Sequence, residues 1–211
     1  MGVFVQPPFW AEDYGRAAAP HAVSAKVVPA ATDPVMTLAT AKGYARITST
    51  ERDATVLPAM LTAARDKVQI DTGIVLLSET YDVFLDALPR DRTPIVLPWR
   101  PVQSITSVKS IDTAGMTQTL DVSNYVLDPS SEAPFPARIG LSIGGVWPTD
   151  IRPFQPYVIR IVAGWAQADV AKIPPPLIHA LGLLFDVYAN DGGSLDAYEE
   201  TIAPFQIPVV A

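Results

Sequence analysis

Few residues in this chain have the types and spacing that chemistry needs. Asp82 and Asp86 stand four positions apart in an alternating stretch, so a strand would put both carboxylates on one face. Such a pair could in principle act as acid and base in hydrolysis. The plainer reading is a solvated strand face. The two histidines, His21 and His179, are far apart. Without cysteine they do not make a metal site. His179 lies in an apolar helical stretch and reads as a hydrogen-bonded structural residue. Gly140, Ser142 and Gly144 have the outer spacing of a nucleophile elbow, but no helix follows the serine. A phosphate-cradling G-x-x-x-x-G-K-[ST] loop is absent. Arg90 and Arg92 flank Asp91 in a proline-rich loop and read as surface. These residues predict no catalytic constellation, no cofactor and no metal.

The elements that would position such residues are bounded by composition. The 211 residues are 49% hydrophobic, which is ample for a core and unlike a disordered chain. The 21 prolines, about twice ordinary usage, imply short elements with stiff connections. The absence of cysteine excludes disulfides and thiolate metal sites and suits a reducing compartment. The N-terminus lacks a basic region followed by an apolar run, so a secretory signal is not expected. No apolar run approaches the roughly 18 residues of a membrane span. The net charge is −7 and uneven. Asp169, Asp186, Asp191, Asp196, Glu199 and Glu200 face a single base, Lys172, in residues 164–211. That balance argues against tight binding to a phosphate backbone.

In chain order, residues 1–32 show neither helical nor strand periodicity. They read as an N-terminal arm, either flexible or ordered on a partner through the anchors Phe9 and Trp10. Asp33-Pro34 predicts the start of a first helix that Gly43 ends. A second is expected from Ser49-Thr50, with a stripe of Leu57, Met60, Leu61, Ala64 and Val68 and a stop at Gly73. Pro58 should kink it or delay its start. From Glu79 the period becomes two, with Tyr81, Val83 and Leu85 on one face. A short strand follows at Ile95-Val96-Leu97.

The mid-chain stretch 98–128 predicts a β-branched strand, a turn at Asp112-Thr113-Ala114-Gly115, and a return run with Tyr125-Val126-Leu127 continuing the sheet. Ile105, Val108 and Ile111 recur every three residues, which predicts a bulge. Residues 137–141 and 157–163 are further strands, the latter central. Pro174-Pro175-Pro176 launches a helix over 177–188 that is apolar nearly all round, hence buried or packed on another subunit. Ser194 could cap a last short helix through Ile202. The expected fold is α+β, with helices at both ends packed around a mid-chain, mainly antiparallel β-sheet. The main domain spans 33–203 (helices 33–73, β region 76–163, helices 175–203), and 204–211 is an apolar tail.

The order of these signals resembles the head–tail connector, or adaptor, proteins of long-tailed bacteriophages and gene-transfer particles. The matching residues are Ala63-Ala64-Arg65 and Thr72-Gly73, then Leu97-Pro98-Trp99-Arg100-Pro101-Val102-Gln103-Ser104-Ile105-Thr106-Ser107-Val108. Asp112-Thr113-Ala114-Gly115, Leu120-Asp121 and Tyr125 follow, then Pro136-Ala137-Arg138-Ile139 and Trp147-Pro148. Ala163-Gly164-Trp165, Ile173-Pro174 and Ala203-Pro204-Phe205 complete the order. The likeness covers residues 33–205; the arm, Pro58 and the apolar tail depart from it.

The resemblance implies a non-enzymatic virion protein of the neck, made in the bacterial host cytoplasm. It would form a homo-oligomeric, usually dodecameric, ring beneath the portal protein. Such a ring extends the DNA channel without sequence-specific binding and offers a platform to a stopper or tail-completion protein. It implies portal contact through Phe205, Ile207, Val209 and Val210. The surplus of apolar residues suits subunit packing through Leu177, Leu181, Leu184, Phe185 and Tyr188. The alternatives are another neck or tail-completion component, or a hydrolase using Asp82 or Asp86.

Overall fold

A computed structural model of the chain describes residues 4–5, 22–28, 35–50, 52, 55–89, 92–128, 136–190 and 194–206. It is an α+β fold. Among the described residues, nine strands form two antiparallel sheets: β1 (Phe4–Val5), β2 (Ala22–Val28), β3 (Glu79–Leu85), β4 (Ile95–Val96), β5 (Val102–Ile111), β6 (Thr117–Leu120), β7 (Tyr125–Leu127), β8 (Arg138–Leu141) and β9 (Tyr157–Ala163). The α-helices among them are α1 (Leu38–Tyr44), α2 (Val56–Thr72), α3 (Pro175–Ala189) and α4 (Asp196–Ile202).

The larger sheet has the order β1-β2-β3-β9-β5-β6 and the smaller β4-β8-β7. β9 is central, between β3 and β5, as its two apolar faces predict. The expected bulge is present. The β5–β9 register shifts between Val102 and Ser104 and again between Ile105 and Ser107; the second shift brings Ile105 and Val108 to the core face, while Ile111 lies on the other. The turn after β5 is closed by Asp112, whose Oδ1 accepts from the Ala114 and Met116 N–H groups, while Gly115 supplies φ 78°.

Two expectations are corrected here. Tyr125–Leu127 does not continue the sheet of β5 and β6; it forms the edge of the smaller one. Asp121 is the reason, since its Oδ1 accepts from Ser123 N–H and caps a 3-10 turn that redirects the chain. Residues 22–28, which show no strand periodicity, pair antiparallel with β3 from Ala22↔Leu85 to Val28↔Thr80.

The helix boundaries follow capping. α1 starts four residues after Pro34, because Thr37 Oγ1 accepts from Thr40 N–H at 3.2 Å. α2 starts at Val56 instead of Ser49-Thr50, which puts Pro58 in the first turn, where no intrahelical N–H bond is lost. Pro58 thus delays the start, one of its two expected effects. Gly73 stops α2 in the left-handed conformation at φ 67°, its N–H bonded to Gln69 O.

Two cores result. The helices from both chain ends pack on one another, with Leu57, Leu61, Ala64 and Val68 of α2 against Leu177, Leu181, Leu184 and Phe185 of α3. The second core lies between the sheets. It joins Tyr81, Val83, Ile159, Ile161 and Val108 of the larger sheet to Ile95, Ile139 and Tyr125 of the smaller, with Trp99 stacked on Tyr81 at 4.9 Å. Residues 74–76 tie the cores together: Ile74 and Leu76 enter the helical core, and Val75 between them enters the sheet core.

Candidate functional site

The carboxylates first singled out are absorbed by the fold. Asp82 on β3 lies directly opposite Arg160 on β9. Arg160 Nε and Nη2 donate to Asp82 Oδ1 and Oδ2, both at 2.7 Å, a bidentate pair. The hydrogen bonds to Asp82, and then its charge, hold the guanidinium above its usual pKa. Asp86 Oδ1 accepts from Gln155 N–H at 3.0 Å and pins the loop before β9. Neither acid faces the other as a proton-transfer pair. Among the described residues, no group of three His, Asp or Glu could hold a metal, and no helix is long and apolar enough to cross a membrane. His179 contacts Tyr44, its Nδ1 3.5 Å from the hydroxyl, on the helical layer. His21 lies outside the described residues.

Four of the five residues expected at a subunit contact on α3 are buried within their own chain. Leu177, Leu181, Leu184 and Phe185 are at most 1% exposed, and Tyr188 packs against the same core. The four leucine and phenylalanine side chains are taken up by α1, α2 and α4 of their own chain, whereas Tyr188 is only partly buried. The choice for this helix, buried or packed on another subunit, falls on buried. The arm anchors Phe9 and Trp10 and the tail residues Ile207, Val209 and Val210 lie outside the described residues.

The C-terminal segment is held at three points before it leaves the described structure. Ser194 Oγ accepts from Asp196 N–H at 3.1 Å and starts α4. Tyr198 turns inward from α4, and its hydroxyl donates to Asp71 Oδ2 of α2 at 2.7 Å. Asp71 also receives Lys67 Nζ at 2.5 Å. Burial first, and then the bond to Asp71, pushes the Tyr198 hydroxyl pKa far above its usual range. Finally, Phe205 rests on the helical core while Arg100 Nη2 donates to its carbonyl and, at 2.8 Å, to that of Thr72.

Arg100 is fully buried and bridges Ile74 through its backbone. One guanidinium thus ties together the end of α2, the entry to β5 and the C-terminal segment. The sequence offered a faint signal for it: an arginine beside Trp99 between two prolines, in an apolar run. Phe205 is therefore an anchor for the segment more than a free contact residue.

A second surface was missed by sequence reasoning. The face of the larger sheet turned away from the smaller one carries an open depression of about 240 Å³. Phe84, Val158 and Ile111 give it apolar walls; Lys109, Arg160 and Asp82 give it charge. Strand alternation marks these residues as outward, but only the order β3-β9-β5-β6 brings them together.

No protein-family model matches the sequence, nor does any curated protein. Solved structures do. A chain in the neck of an empty gene transfer agent particle, computed with C6 symmetry, superposes with a TM-score of 0.66 at 20% identity, covering 88% of this chain and 97% of that one. A chain in the virion of the native gene transfer agent particle gives 0.66 at 22% identity over the same shares. A chain from the neck of the native particle, computed with C12 symmetry, gives 0.63 at 23% identity, again over 88% and 97%. This protein has the fold of those neck and virion chains across nearly their whole length.

Proposed function

We propose that this chain is a structural head–tail connector, located in the neck of a virion or gene-transfer particle. It forms a ring beneath the portal, lengthens the channel through which DNA passes, and presents a platform to the next neck protein. The observation that carries this reading is the fold shared with neck chains over 97% of their length. Their C6 and C12 symmetries support a ring of like subunits. The acidic C-terminal region fits a wall that does not grip passing DNA. Asp82 and Asp86, with their fixed structural partners, give a hydrolase reading no support.

The segment beyond Phe205, launched from the Arg100 and Tyr198 anchors, is the portal contact in this reading, through Ile207, Val209 and Val210. Its apolar residues suit addition to an exposed strand edge or groove. The test is electron microscopy of the purified chain with its portal, together with particles that lack the chain. A ring on the portal and tailless particles are expected. Tails joined normally without the chain would overturn the reading. A ring seated on the tail instead would favour a tail-completion role. Deleting residues 207–211 should leave the thermal melt unchanged and abolish portal docking; normal docking would remove the assignment of the tail.

A further inference from the structure

We infer that the depression on the outer face of the larger sheet receives the α4 ridge of a second copy of this chain. The inference rests on the ring reading and names the surfaces that build the ring.

The depression, at about 240 Å³, falls below the roughly 300–1,000 Å³ of small-molecule sites. It lies open on a sheet face, so its shape suits a side chain projecting from a macromolecule. Its charge is specific. Arg160 is matched by Asp82, and Lys109 has no carboxylate partner among the described residues. The depression therefore carries one unmatched positive charge beside the apolar surfaces of Phe84, Val158 and Ile111. Its complement is an apolar knob flanked by carboxylates.

This chain carries such a ridge. Leu195 is 45% exposed at the start of α4. Asp196, Glu199 and Glu200 are exposed around it. Leu195 and Glu199 are four apart, as are Asp196 and Glu200, so all four lie on the outward side. Tyr198 and Ile202, also four apart, point inward and are buried. The Tyr198–Asp71 bond fixes the ridge to α2, so little order is lost on docking. The net charge of −7 works against self-association in general, which gives the single matched contact its selectivity.

The two patches belong to different parts of the chain, so each copy offers a donor ridge and an acceptor face. Such a heterologous contact leaves both ends of a dimer open and propagates until the rotation closes a ring.

The absence of cysteine makes the contact directly testable. With Thr117→Cys in the depression and Ala197→Cys on α4 in one chain, mild oxidation of rings assembled on the portal should give a covalent ladder beyond the dimer. The control pair Thr117→Cys with Lys172→Cys should not. Lys109→Glu should weaken assembly at least about tenfold, and adding Glu199→Lys with Glu200→Lys should restore it. Circular-dichroism melts would confirm that each variant folds. Rings of this double-cysteine chain that give no ladder, or rings that assemble unchanged in Lys109→Glu, would overturn this contact while the ring reading stands. A wild-type chain that stays monomeric both alone and with the portal would overturn both.

Discussion

Single residues set much of the stability of the C-terminal segment. The Tyr198 hydroxyl donates to a carboxylate from a buried position. Hydrogen bonds to charged groups contribute about 1.5–3 kcal/mol, so Tyr198→Phe should lower the urea unfolding free energy by an amount in that range. Tyr198 also imposes a pH dependence, shared with Tyr81. Burial, and then the nearby Glu79 charge, pushes the Tyr81 hydroxyl upward as well. In the unfolded chain both ionise near 10.0. In the folded chain they keep their protons to higher pH. The folded state therefore binds more protons above pH 10, and stability must fall as pH rises past that value. Urea midpoints between pH 8 and pH 11 should show the decline, and Tyr198→Phe should flatten it. An unchanged slope in that variant would assign the loss elsewhere. By contrast, the Asp82–Arg160 pair is partly exposed. Asp82→Asn should cost no more than about 1 kcal/mol, because solvent screens the charges.

At the scale of elements, α3 shows how close packing sets a helix's place. An ideal Cβ on Gly182 would come within 2.5 Å of the Tyr44 ring. That ring belongs to the end of α1 and also reaches His179. Gly182→Ala should therefore push α1 off α3 and destabilise the fold by about 1–3 kcal/mol, measured by thermal melting. No movement in the melt would mean that α1 yields without cost. Gly164 has a different role. With φ 98° and Leu77 O 2.3 Å from its ideal Cβ, it lets β9 turn out closely beneath the 74–77 segment. Neither requirement is visible in the sequence. Pro58 is the opposite case. Its chemistry bars it from a helix interior, and the structure obeys by starting α2 at Val56.

For the molecule as a whole, two cores share one joint. Ile74, Val75 and Leu76 feed them alternately, and Arg100 closes the junction from the other side. Replacing Arg100 with Met should leave the carbonyls of Thr72 and Phe205 without that donor. The expected loss is roughly 3–6 kcal/mol, from two charge-assisted bonds. Hydrogen exchange in residues 194–206 should rise more than in β3 and β9. Uniform acceleration throughout would instead mean that Arg100 supports both cores equally. This joint matters for the proposed role: a ring subunit needs its portal-facing tail and its neighbour-facing sheet held in one frame.

The sequence by itself determined what rests on local chemistry. Tyr81, Val83 and Leu85 alternate whatever lies beside them, and Tyr157, Ile159 and Ile161 do likewise. The turn at Asp112–Gly115, the stop at Gly73 and the bulge implied by Ile105, Val108 and Ile111 are also local, fixed by backbone sterics and side-chain reach. Only the tertiary structure decided what depends on partners distant in the chain. The apolar girdle of α3 could face a neighbour or its own fold, and the arrival of α1, α2 and α4 settled it as core. Lys109, Asp82 and Arg160 are unremarkable in three separate stretches and become one charged depression only when β9 lies between β3 and β5. Hydrophobic patterning tells which side of an element is buried, but not against what.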